Sequence, residues 1–500
     1  MKMVAEEMEL RRELPVVIGN VDYQEFQGRL EEIDRLLRES GLEKEFVRHG
    51  LMRYEEEGRR AAQEQQQKYR SLGWGDQARV QKLLRQALRC NVARWLTEKE
   101  YRRFSRHLAE SALLQWFCQM ERIDAIRVPS KSTLERYDKL MPEPEVREVV
   151  NRLNQLAVGG RVGLDEGLEL EAYFSDATCV KAAIHFPVDW VLLRDGVRTL
   201  MKAVMVIRRH GLKHRTPEPE GFMRKVNRLA MEMTQSRRRA DSRKKRKQVL
   251  RKMKRLSRVV MGHARRYRQK LAAGWEQQTD LKSGEVRQIL KRLDNVLEQL
   301  PAAIHQAHER IIGERKVANA DKLLSLYERE LHVIVRGKAE AEVEFGNTLW
   351  LGEQADGLIL DWRLLRDQSP GDTKLFRESL ERIKGVFDHY PPSAAGDRGL
   401  WSKANERWLE SEGVYSALCP RGVRELQERM KEKRFAALQK RRAQTEGRIG
   451  IIKNDFLGRP LRSKGFEHRE LAAAWAVLVH NLWLLAGLRM EQEQEKRKAA

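Results

Sequence analysis

The sequence predicts a mixed α/β fold whose sheet is interrupted by a long helical insertion and preceded by a helical N-terminal region. Three observations carry this. Strand-like segments rich in Tyr, Phe, Val and Ile fall in two separated blocks, residues 168–184 and 331–365. Between them, residues 188–328 keep helical periodicity over a length no ordinary loop reaches. Ahead of both, the first 150 residues carry apolar side chains at three- and four-residue spacing and give no strand signal. The expected units are a helical N-terminal region at 1–150, an α/β domain formed by 151–187 with 329–500, and a basic helical insertion domain at 188–328.

In the N-terminal region, residues 23–40 place Phe26, Leu30, Ile33, Leu36 and Leu37 on one helical face, and residues 80–96 and 101–120 follow with aromatic-rich faces. Val128-Pro129 closes a segment, and Ser132-Thr133-Leu134-Glu135 reads as a capping box opening a short helix to about residue 140. That helix offers Lys131, Arg136 and Lys139, either as the recognition helix of a helix-turn-helix or as a capped surface helix. Glycines from 159 to 167 break the helical pattern, and residues 168–184 then form a strand or hairpin carrying Asp176.

Pro217 and Pro219 punctuate the insertion, and Val286, Ile289, Leu293, Val296 and Leu300 form an apolar stripe on a later helix. The most cationic run starts at Arg237-Arg238-Arg239, continues through Arg243, Lys244, Lys245, Arg246 and Lys247 to Arg258, and resumes at Arg265. Leu250, Met253, Leu256 and Val260 keep helical spacing inside it, which reads as an amphipathic helix with one face for phosphates, against the alternative of a solvated charged helix. Trp275 beside it is a candidate for stacking on an extruded base.

Strand signals resume at residues 331–335, and 343–351 with 357–365 read as a hairpin around Ala355-Asp356-Gly357. A helix over 373–387 takes Asp372 as its expected N-cap. Ser393-Ala394-Ala395-Gly396, ahead of Asp397-Arg398-Gly399, is a poor strand by composition. A helix at 402–412, a short strand at 414–418 and two helices follow, one bearing Glu446 and the other a Trp-rich apolar segment at 472–488 expected in the core.

Lys and Arg number 97 against 73 Asp and Glu, giving a formal net charge of +24 and a pI near 9.9. Such an excess attracts polyanions, nucleic acid first among them, with affinity falling steeply as salt is added. A membrane partner is disfavoured, since the sequence reads as lacking a run of about 18 apolar residues, and the first twelve residues do not resemble a signal sequence. Four dispersed cysteines, Cys90, Cys118, Cys179 and Cys419, form neither a zinc pair nor a disulfide framework, which fits a reducing cytosol. Any metal would be a hard cation on carboxylates.

Residues 439–453 concentrate the chemistry. On one helix, Arg442, Glu446 and Lys453 share a face, so a carboxylate stands among cations suited to phosphate. In-line displacement at a phosphodiester needs an activated attacking oxygen and a neutralised leaving oxygen, which two Mg²⁺ ions about 3.5–4 Å apart provide when carboxylates position them. Spacing alone does not choose three carboxylates from 73.

Ordered blocks choose them. Gln439-x2-Arg442-x3-Glu446-x6-Lys453 is similar to the signature Tyr-x2-Arg-x3-Glu-x6-Lys, differing at its first position. Asp176-Ala177-Thr178-Cys179-Val180 followed by Ile184-His185-Phe186-Pro187-Val188-Asp189 resembles a first-aspartate segment, and Asp397-Arg398-Gly399 a second. Arg336-Gly337-Lys338 and Val343-Glu344-Phe345-Gly346 resemble intervening strands. Across most of residues 80–488 the chain thus resembles the DDE transposases of bacterial insertion sequences, in the branch bearing that signature.

The resemblance implies an RNase H-like catalytic domain and an N-terminal region that binds the element's ends. It implies Asp176, Asp397 and Glu446 as catalytic residues and ligands of two Mg²⁺ ions, with Mn²⁺ able to substitute. Arg442 and Lys453 become contacts to DNA or to the metal ligands, Arg398 a salt-bridge or phosphate residue, and Arg243 to Lys247, Lys131 and Arg136 further DNA contacts. The expected function is cleavage at the ends of a mobile element and transfer of the freed 3′-hydroxyl into target DNA. The partners are terminal inverted repeats, target DNA and a second subunit, without membrane, in bacterial cytoplasm at the nucleoid. Two rivals stand beside it: an inactive DNA-binding descendant of a transposase, and an RNase H-like nuclease without strand transfer.

Overall fold

The computed structural model describes residues 13–14, 16–64, 66–120, 125–236, 241–338 and 341–499. Arg237, Arg238 and Arg239 of the cationic run lie outside them.

Seven helices precede the sheet: α1 Val21–Glu39, α2 Leu42–Glu64, α3 Trp74–Leu96, α4 Tyr101–Glu110, α5 Ala112–Phe117, α6 Lys131–Asp138 and α7 Glu143–Val158. The cap of α6 is Ser130, two residues before the expected capping box, its hydroxyl accepting from the backbone N–H of Thr133. With the helix begun there, Glu135 is free to pair with both Lys131 and Lys139 along one face. Lys131 and Arg136 are exposed.

Strand β1, Ala172–Lys181, is a single ten-residue strand and not a hairpin. After it come α8 Asp189–Arg209, α9 Pro219–Gln235, α10 Ser242–Gln278 and α11 Ser283–Ala307. These four helices bury a core of their own, with Leu193 and Val204 of α8 against Met253 and Val260 of α10 and Leu293 and Leu300 of α11. Asp189 is buried at the start of α8, accepting from Gln306 and Arg310, so it anchors the insertion.

The chain returns through β2 His332–Lys338, β3 Ala341–Gln354 and β4 Ile359–Leu364, then α12 Asp372–Phe387, β5 Ser393–Gly396, α13 Lys403–Ser411, β6 Tyr415–Leu418, α14 Val423–Arg429, α15 Lys433–Ile451 and α16 Phe466–Ala499. The sheet runs β2-β3-β1-β5-β6, with β4 also paired to β3. Strands β2, β3, β4 and β1 pair antiparallel, whereas β5 lies parallel to β1 and β6 parallel to β5. Ser393–Gly396, poor by propensity, is nonetheless a fully buried central strand. Its small side chains let helices approach the sheet closely, and tertiary packing overrides intrinsic preference.

A single apolar core joins the N-terminal helices to the sheet, including Leu30, Phe46, Trp350, Leu380 and Trp475. Its axis is α16, which packs against α1, α3, α7 and β4. This helix corrects the expectation of no membrane-length apolar segment: it contains a window of mean hydropathy 1.7, but 83% of that window is buried inside the protein. Length and composition admit a bilayer span; the packing makes it a core helix.

Candidate active site

Strands β1 and β5 bring the first two aspartates together by register. Tyr173 lies beside Ala394 and Phe174 beside Ala395, so Asp176 and Asp397 each stand two residues beyond the last paired position of neighbouring parallel strands. Parallel neighbours lie about 4.8 Å apart. Side chains alternate along a strand, so Asp176 projects on the same side as Phe174 and Thr178. That side is the one α15 covers. The Arg441 guanidinium lies 4.9 Å over the Phe174 ring, and Lys453 Nζ donates to Thr178 Oγ1 at 3.0 Å. Glu446, exposed on α15 and between those two anchors in sequence, is one of the acidic groups that act on Asp176.

Three side chains of α15 converge on the carboxylate of Glu353, which is wholly buried near the end of β3. Arg441 Nη1 donates to Oε1 at 3.1 Å, Thr445 Oγ1 to the same oxygen at 2.8 Å, and Arg448 Nε to Oε2 at 3.0 Å. Arg441 also donates to the carbonyls of Gln354 and Ala355, so the helix is held to the strand and to its turn. Arg448 continues inward to His480 Nε2 at 3.1 Å. Because a guanidinium only donates, Nε2 accepts, and the ring proton sits on Nδ1 and donates to Asn481 Oδ1 at 3.0 Å. Burial and the Arg448 charge hold His480 down to about 4, so it is neutral near pH 7.

Around Asp176 acidic groups crowd together. Burial pushes its carboxyl up to about 6, against a hydrogen bond from the Ala177 N–H, and its strongest charged neighbours are all acidic: Asp397, Asp372 and Glu446. Asp372 was anticipated only as a helix cap. Gly371 takes that place with φ +104°, a backbone region that favours glycine, and Asp372 becomes the first residue of α12 without a capping bond. Burial and then Asp397 raise its carboxyl above the ordinary range. The raised pKa of the neighbouring Asp176 and Asp372 carboxyls is the signal that reveals it; sequence spacing carries none.

Among the described residues no three such side chains stand as a finished metal cage. The donor set nonetheless fits a hard divalent ion. It is all carboxylate oxygen, and magnesium retains several waters between itself and part of its ligands.

The expected DNA-contacting residues are placed unequally. Arg442 is half-buried and its Nε donates to Gln439 Oε1 at 3.2 Å. Lys453 is buried against Thr178 and so faces inward, beside the strand of Asp176. Arg398 is exposed next to Asp397. In the basic run, Lys245 pairs with Glu232 at 2.7 Å, Lys247 with Glu314 at 2.9 Å, and Arg246 lies 5.3 Å over the Trp190 ring. Arg243 and Lys244 are exposed at the start of α10. Trp275 is partly buried against the insertion core.

Residues 353–482 match the family model described as the transposase DDE domain. The matched stretch begins at Glu353 and includes Asp372, Asp397 and Glu446, and leaves Asp176 and the insertion outside it. No curated protein and no solved structure matches the chain. The family match supports a DDE transposase.

Two outcomes follow from the Glu353 network. Glu353→Ala leaves two arginines facing an empty site and is expected to lower stability by about 3–5 kcal/mol in urea denaturation; a change below about 1 kcal/mol would show that α15 is held by other means. His480 is neutral when folded and its proton affinity is lower there than in the unfolded chain. The unfolded state therefore gains protons first, and stability falls as pH drops from about 6.5 toward about 4. The loss at the acid end is about 3 kcal/mol, and denaturation of His480→Gln across that range is expected to show a flatter profile.

Proposed function

We propose that this protein is a DNA transposase that hydrolyses a phosphodiester at the end of a mobile element and joins the freed 3′-hydroxyl to target DNA. The observation that carries the reading is the grouping of Asp176 within β1, Asp397 just past the end of the neighbouring parallel β5 and Glu446 on α15, the last two acting electrostatically on Asp176 and lying inside the transposase-domain match. The strand order β4-β3-β1-β5-β6, antiparallel through β1 and parallel beyond it, supports an RNase H-like catalytic domain with α8 to α11 inserted after its first strand.

Asp176, Asp397 and Glu446 would hold two Mg²⁺ ions, which supply activation of the attacking oxygen and neutralisation of the leaving one when bound. Asp397 Oδ1 accepts from the N–H groups of Gly399 and Leu400, at 2.8 and 3.2 Å, which fixes its carboxyl and leaves Oδ2 for a ligand. In the first step water attacks phosphorus and the 3′-oxygen leaves with a proton. In the second, that 3′-hydroxyl attacks a target phosphodiester and a target 3′-oxygen leaves. Neither step forms a bond to the protein. Arg442 engages Gln439 through Nε and presents its terminal nitrogens to a phosphate, and exposed Arg398 and α6, with Lys131 and Arg136, are further phosphate contacts.

The insertion supplies the main DNA-binding face. Arg243, Lys244, Arg251, Lys252, Arg255, Arg258, Arg265 and Arg266 are exposed along α10. From Arg243 to Arg266 the helix runs about 35 Å at 1.5 Å per residue, about one turn of duplex. Two subunits synapsing two inverted-repeat ends, in bacterial cytoplasm at the nucleoid, complete the reading.

Labelled element ends incubated with Mg²⁺ or EDTA, with target DNA added, test it. Cut and joined products support transposition; cut ends alone favour a nuclease, and binding without cutting an inactive descendant. Asp176→Ala, Asp397→Ala and Glu446→Ala are each expected to reduce cleavage by roughly 1,000-fold or more while end binding persists. The rise in melting temperature on adding Mg²⁺ should vanish with it. Cleavage retained in any one removes that residue from the site. Replacing Arg251, Arg255 and Arg258 with Gln should lessen the slope of log affinity against log salt by about 0.9 per lost phosphate contact. The pair Lys245→Gln and Lys247→Gln, already engaged by glutamates, should change it little.

A further inference from the structure

The position at which this chain departs from the signature is tied into the structure more fully than a tyrosine could be. Gln439 Nε2 donates to the carbonyl of Gly396 at 3.1 Å and to that of Ala417 at 2.5 Å. These carbonyls belong to β5 and β6, neighbours in the sheet, and the first opens the peptide that leads into Asp397. Its other end, Oε1, accepts from Arg442 Nε at 3.2 Å. One amide thus uses two donors on strand ends and one acceptor on an arginine. A phenol has a single O–H to donate and cannot reproduce that pattern.

We propose that Gln439 is a positioning residue: it clamps α15 to the ends of β5 and β6 beside Asp397 and, through Oε1, aims the Arg442 guanidinium at a phosphate of the bound strand. The inference rests on the proposed function, in which Arg442 meets DNA. Its physical basis is the division of labour within the guanidinium. With Nε held by a neutral acceptor, the terminal nitrogens are oriented, and a phosphate meets a pre-set fork and not a mobile side chain. Glu353 fixes the opposite flank of the same helix through Arg441, Thr445 and Arg448, so Gln439 is left to set only the end that faces Asp397.

A double-mutant cycle separates aiming from mere structural support. Arg442→Ala is expected to weaken binding of labelled ends and to lower the salt slope by about 0.9. Gln439→Ala should weaken binding about tenfold, the loss of one charge-assisted hydrogen bond's alignment, and lower the salt slope too. The double variant should be no weaker than Arg442→Ala alone. Gln439→Glu keeps an acceptor for Arg442 but replaces the neutral one by a carboxylate that pairs with the guanidinium and cannot donate to the strand carbonyls; it should lower end binding, salt slope and thermal stability together. If the two effects multiply and the salt slope of Gln439→Ala stays at the wild-type value, Gln439 is a structural clamp only and the proposal is overturned. If Arg442→Ala changes neither binding nor slope while Asp176→Ala abolishes cleavage, the aiming role is likewise refuted and the transposase reading stands. If the unaltered protein cuts no labelled ends with Mg²⁺, it is the reading itself that fails.

Discussion

A carboxylate with no access to water, Glu353, fixes where the rest of the site can be. An ionised group in that position is unstable unless strongly compensated, and Arg441, Thr445 and Arg448 compensate it from a single helix. The requirement runs both ways. It ties the end of β3 to the helix, and it limits the rotation and height of α15 above the sheet. Glu446 lies in sequence between Arg441, held to β1 and β3, and Lys453 of the turn beyond the helix, held to β1. From Arg448 the bonding passes to His480, Asn481, Asn154 and the backbone of Ile359, so the helix above the site is coupled to α16, α7 and β4 by an unbroken polar chain.

The neighbourhood of Asp176 follows the opposite rule. After burial, three carboxylates, Asp397, Asp372 and Glu446, push its proton affinity up, in a chain whose net charge is +24. Elsewhere buried acids meet arginine: Asp34 with Arg89, Asp361 with Arg382, Asp189 with Arg310. Repulsion among carboxyls in one place, amid compensation in others, is the kind of perturbation that marks a candidate functional site.

Much of the architecture was legible. The hairpin around Asp356, the helical insertion, the strand bearing Asp176 and the helix bearing Glu446 all follow from periodicity and turn residues, since each is long or sharply punctuated. Ser393–Gly396 was not legible as a strand, because its four small residues carry no strand preference and owe their conformation to β1 and β6 on either side. Asp372 escaped for a related reason: Gly371 took the cap, and no pattern in one dimension shows that the start of α12 stands beside the end of β5. The basic run showed its charge but not its pairing. Lys245 and Lys247 answer Glu232 and Glu314, which lie on other segments, so the number of cations in a stretch overstates those presented to solvent.

The shared core of α1 and α16 bears on how the chain is made. The two helices lie at opposite ends of the described residues, and Leu30, Ile33 and Leu37 are buried in one cluster with Trp475, Leu482 and Leu485. A growing chain on the ribosome therefore leaves part of the apolar face of α1 uncovered until α16 has been made. During that interval the early segment is open to chaperones and to premature association with other nascent chains. The α8 to α11 bundle, with its own separate core, can be complete long before.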